Sequence, residues 1–149
     1  MPRNLLIDPH ATYRDLKRYA FGLGITVLSA PIAGDLNGVY DSTLNTILID
    51  RQNTEIQKRC TLVHELIHWE YGDTSCDPVF HAREENRTRR ETARDLIIDL
   101  RYAVAESIYD NPYQIARELD VTVQIVEDYQ RAVRADPFVR SIQNTRVSA

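Results

Sequence analysis

In His64-Glu65-Leu66-Ile67-His68 two histidines stand four residues apart, with a glutamate directly after the first. On a helix the four-residue step stacks both imidazoles on one face, about a turn apart, where two nitrogens can share one metal ion. That geometry suits zinc. Glu65 is rotated off the face, so it is better placed as a general base toward a water than as a ligand. The flanks predict a helix: Leu62-Val63 and Leu66-Ile67 are apolar, residues 53–71 contain neither Pro nor Gly, and Gly72-Asp73 reads as the closing turn. An uncompensated imidazole pair and carboxylate buried there would cost roughly several kcal/mol in desolvation, which a metal offsets.

A hydrolytic zinc needs a third protein ligand and an open fourth position. After a loop over 72–80, residues 84–106 read as one long helix whose apolar stripe is Leu96, Ile97, Leu100, Ala103 and Val104. Glu91 and Asp95 sit a turn apart near its start. A Glu ligand followed four residues later by an Asp is the arrangement in which the Asp holds the second nitrogen of a histidine ligand. Glu91 is therefore the expected third ligand and Asp95 its supporting partner, against a reading as solvated acids among Arg87, Arg89, Arg90 and Arg94. Glu84 and Glu85 are the alternatives, placed by periodicity in a loop or first turn. Cys60, a turn before His64, reads as a packed core thiol and Cys76 as a loop thiol.

The run 60–68, then Tyr71-Gly72-Asp73, then Arg90-Glu91-Thr92-Ala93-Arg94-Asp95 resembles the ImmA/IrrE family of metallopeptidases, in the short form carried by phages and mobile elements. The resemblance covers about residues 10–105. It implies zinc held by His64, His68 and Glu91, with Glu65 as catalytic base. It also implies a narrow substrate, a helix-turn-helix repressor cleaved or inactivated to release phage or mobile-element genes. Ile67 stands where many members have Gly, and Arg94 where the later segment usually has Ala.

A chain of 149 residues, 43% hydrophobic, is long enough to bury one core. The expected fold class is α+β: a small zincin-like domain of the gluzincin type over 1–106, a helix-turn-helix-like helical appendage over 107–140, and a flexible tail over 141–149. The N-terminus has no signal-peptide pattern, no segment suggests a membrane, and two cysteines are too few for a disulfide framework, so a cytoplasmic location is expected. Residues 12–22 read as a helix, 25–28 as a short strand, and Val39-Tyr40 with 46–49 as a hairpin around a polar turn. A sheet edge beside the metal helix is where a peptide would add as a strand, here beside 37–40. His81, Tyr71 and Tyr40 are candidates for an oxyanion donor, none of them assigned.

Asn111-Pro112 starts a helix, and Ile115, Ala116, Leu119, Val121, Val126 and Tyr129 fall at helix-turn-helix positions. Its second helix would expose Thr122, Gln124, Glu127, Asp128 and Arg131. The acids would repel phosphates, and a net charge of −4 argues the same way, so direct DNA binding is disfavoured against helical packing or substrate docking. The expected function is thus a zinc-dependent endopeptidase acting on a repressor. The competing classes are a non-cleaving antirepressor and a DNA-binding regulator with a structural or vestigial zinc site.

Overall fold

A computed structural model describes residues 3–74 and 77–137. The expected frayed tail and Cys76 lie outside the described residues. Helix α1 (Tyr13–Gly22) begins in a capping box, Thr12 and Asp15 each satisfying the other's backbone N–H. A turn through Gly24 (φ +82°) leads into β1 (Thr26–Ala30), and the chain returns through β2 (Gly38–Asp41) and β3 (Thr46–Asp50). The sheet order is β1-β3-β2, with β1 parallel and β2 antiparallel to β3. Each outer strand therefore has one unpaired edge within this sheet.

Helix α2 (Glu55–Tyr71) opens with a second capping box, Thr54 with Gln57, and closes at Gly72 in the left-handed region (φ +65°). Ile47 and Ile49 of β3 and Leu62, Val63, Leu66 and Ile67 of α2 are completely buried. Alternation on the strand and helical periodicity on α2 thus bring two apolar faces together.

The long helix expected over 84–106 is two helices. Helix α3 (Pro78–Leu96) starts six residues earlier, with Asp77 accepting from Val79 N at 2.8 Å and Pro78 in the first turn. It stops at Ile97 and Ile98, both extended, before α4 (Asp99–Ile108). No Pro or Gly causes the break. Two β-branched residues favour the extended backbone, and Ile97 is taken into the core. Tyr129 also donates to Asp99 in the first turn of α4. The break reverses part of the expected stripe: Leu100 and Val104 are 74% and 53% exposed, while Tyr102 and Ala105 are buried.

Helices α5 (Pro112–Glu118) and α6 (Val123–Ala135) bury Ile115, Ala116, Leu119, Val121, Val126 and Tyr129, as their spacing required. Asp120 adopts positive φ (+53°) in the turn between them. These side chains join the same buried cluster as α1, β3 and α2. Arg59 of α2 pins the junction: its Nε donates to Ala11 O at 2.6 Å, Nη1 to Asp120 O at 3.0 Å, and Nη2 to Pro9 O.

Candidate metal centre

Helix α2 places His64 and His68 one turn apart, with Nε2 atoms 3.1 Å from each other. Both face the carboxylate of Glu85 on α3, at 3.2 Å from His64 Nε2 and 3.1 Å from His68 Nε2. Two imidazole nitrogens and a carboxylate in one small space form a donor set for a divalent cation. The alternative occupant is a proton. With no cation bound, burial alone would lower the His68 pKa, but its hydrogen bonds to Glu85 and Asp73 prevail and push it up to about 9. Glu85 is held well below the usual carboxylate range by the same two imidazoles.

Asp73 reaches His68 from behind, 2.8 Å from Nδ1. Accepting a hydrogen bond from Nδ1–H fixes the tautomer that leaves the Nε2 lone pair facing the cluster. Asp73 is itself paired with Arg87, whose guanidinium lies 3.7 Å from the centre of the Tyr71 ring. The sequence reading missed this role. Its signal is a position: an acid immediately past the glycine that caps the metal helix, five residues after His68.

Glu65 is 8% exposed and lies off the ligand face, with the Tyr40 backbone amide beside its carboxylate. Burial pushes its carboxyl up, against the lowering effect of the two histidines and that amide. A carboxyl whose charged form is disfavoured by burial holds a proton more readily than a solvated one, which suits a group that takes and returns a proton.

Glu91 and Asp95, expected as third ligand and its supporting partner, are placed elsewhere. Glu91 Oε1 accepts from Tyr71 Oη at 2.8 Å, and Asp95 takes a bidentate contact from Arg3 at 2.6 and 2.8 Å. The reason is the offset between helices. His64 meets Glu85, His68 meets Glu85 and Thr88, and Tyr71 meets Glu91, so the contacts advance in the same sense along both helices. Glu91 is thereby carried past the histidines to the end of α2. Glu85 extends the buried Thr88–Thr92–Leu96 stripe back by one turn, a signal available to a reader who starts α3 at Pro78.

A cleft of about 990 Å³ opens over the cluster. Gly38, Val39 and Tyr40 form one wall, α3 another through His81, Glu84 and Arg89, and the start of α6 closes a third with Thr122, Gln124 and Asp128. Of the three oxyanion candidates, Tyr71 Oη is spent on Glu91, Tyr40 Oη donates to Asn45 Oδ1 at 3.2 Å, and His81 lines the cleft. Cys60 is buried, which raises its thiol pKa and keeps it a neutral core group.

Asp128, expected to be exposed, is 5% exposed. It accepts from Arg89 at 2.9 Å, Arg131 at 2.6 Å and Gln124 at 3.0 Å. Both α6 side chains that could have read bases are thus engaged internally. Three arginines of α3 are paired likewise: Arg87 with Asp73, Arg89 with Asp128 and Arg94 with Asp136.

Residues 22–128 match the family model described as Peptidase_M78, IrrE N-terminal-like domain. The matched stretch contains the sheet, both site helices and most of α6. No curated protein matches the chain. Among the described residues no helix is long and apolar enough to cross a membrane.

Proposed function

This chain belongs to the Peptidase_M78 family, the IrrE N-terminal-like metallopeptidases, and we propose that it is a zinc-dependent endopeptidase with Glu65 as general base. The observation that carries the proposal is the convergence of His64 Nε2, His68 Nε2 and the Glu85 carboxylate within 3.1–3.2 Å, beside a buried Glu65 at the floor of a cleft. The two histidines and Glu85 would hold the ion, with Glu85 in the role the sequence suggested for Glu91. When bound, zinc supplies Lewis acidity toward a water and a peptide carbonyl.

The chain's own groups do the rest. Glu65 takes one proton of the attacking water and returns it to the amine nitrogen as the C–N bond breaks; the second water proton leaves the new carboxyl for the amine, giving a carboxylate and an ammonium group. The edge strand β2 orients the substrate. Asn37 O accepts from Asp50 N at 2.9 Å, so alternate residues address β3, while the main-chain groups of Gly38 and the carbonyl of Tyr40 turn toward the open edge, the Tyr40 amide being turned to Glu65. A peptide can add there as a further strand through backbone hydrogen bonds, its scissile bond above Glu65.

The proposed substrate is a helix-turn-helix repressor of a phage or mobile element, a reading supported by the likeness to the ImmA/IrrE family. The test is Glu65→Gln incubated with a candidate repressor. The variant should keep stoichiometric zinc and lose about 10²–10⁴-fold in cleavage rate. Release of an intact repressor from its operator, equal for wild type and Glu65→Gln, would replace the peptidase by a non-cleaving antirepressor.

A further inference from the structure

Gly38 sits where the edge strand presses on the metal helix. A Cβ built on it would lie 2.5 Å from Thr61 Cγ2, 3.1 Å from Leu48 O and 3.2 Å from Ile49 Cδ1. The last two contacts ask for a few tenths of an ångström. The first cannot be met without movement, because Thr61 is β-branched with restricted χ1 freedom. Four residues further along α2 stands Glu65, and two further along β2 is Tyr40, whose backbone amide lies beside that carboxylate and favours its charged form. A four-residue helical step is about 6.0 Å, and a two-residue strand step about 6.8 Å. Strand and helix therefore touch in matched register at two successive points: Gly38 on Thr61, then Tyr40 on Glu65.

We propose that Gly38 is a positioning residue: its missing side chain sets how closely β2 lies on α2, and through this the reach of the Tyr40 amide to Glu65 and the height at which the edge would present a substrate strand. The proposal rests on the peptidase reading for its catalytic consequence, but the strand–helix contact is measurable without any substrate. A methyl at position 38 wedges the strand off the helix at Thr61 and carries the Tyr40 N–H away from Glu65. The general base then loses the group that orients it. Replacing Thr61 by Ser deletes the obstructing Cγ2 methyl and gives the strand back its seat.

The experiment compares wild type, Gly38→Ala and Gly38→Ala/Thr61→Ser, all zinc-loaded, by the amide proton shift of Tyr40 and by kcat and KM on a quenched-fluorescent peptide chosen from a library because wild type cuts it. Gly38→Ala should move the Tyr40 amide upfield and lower kcat about tenfold or more with zinc content unchanged, and the double variant should recover most of both. If Gly38→Ala does not fold, the double variant alone decides: it should fold with the Tyr40 shift near that of wild type. An unchanged Tyr40 amide in Gly38→Ala, or a double variant no better than the single one, overturns the inference. A wild type that cuts no peptide in the library counts against the peptidase reading, and the amide comparison still settles the role of Gly38.

Discussion

Asp73 Oδ2 lies 2.8 Å from Nδ1 of His68, just past the glycine that ends the metal helix. The left-handed turn at Gly72 is what brings the carboxylate back onto the ring of the preceding turn. One capping residue thereby orients the His68 imidazole.

Asp73→Asn should keep the fold and weaken zinc binding about 10–100-fold, since a neutral amide holds the imidazole less firmly and lowers its basicity. Competition with a fluorescent chelator measures this. Wild-type affinity in the variant would show that Asp73 serves Arg87 alone.

Glu85→Ala and Glu91→Ala separate the two carboxylates of α3. Glu85→Ala should lose zinc as fully as His64→Ala. Glu91→Ala should retain it and cost about 1–2 kcal/mol of stability through the lost Tyr71 hydrogen bond. Metal analysis and thermal melts of the purified variants report both, and the reverse pattern would return the ligand role to Glu91.

Removing the metal should make stability depend on pH. In the metal-free protein the His68 pKa stands at about 9 against 6.5 for an unperturbed imidazole, so its contribution is full below about pH 6.5 and is lost as pH rises through 9. The loss is on the order of 2–3 kcal/mol. Glu85, held low, acts oppositely, its contribution disappearing as pH falls below the ordinary carboxylate range. With zinc bound the imidazole stays neutral and the alkaline loss should vanish. A melting temperature in EDTA that is flat from pH 6.5 to 9.5 would contradict this.

Arg59→Met should destabilise by about 3–5 kcal/mol, because it leaves the carbonyls of Pro9, Ala11 and Asp120 without their charged donor while keeping most of the buried stem. Urea titration measures the change. A loss under about 1 kcal/mol would mean that water replaces the guanidinium at all three carbonyls.

The spacing of His64, Glu65 and His68 determined which way each side chain faces before any tertiary structure, because a helix fixes which side chains share a face whatever packs against it. The closing turn at Gly72 and the apolar faces of α5 and α6 were legible for the same local reason. The third carboxylate was not. Glu84, Glu85 and Glu91 are all acids on one helix, and which of them meets the histidines depends on the crossing point of α3 on α2, a property of two packed surfaces separated by a loop. The same holds for Asp128, which looks solvent-facing along α6 and becomes buried only because Arg89 of α3 arrives beside it. Periodicity along one segment carries facing; it carries no depth, and depth comes only from the partner.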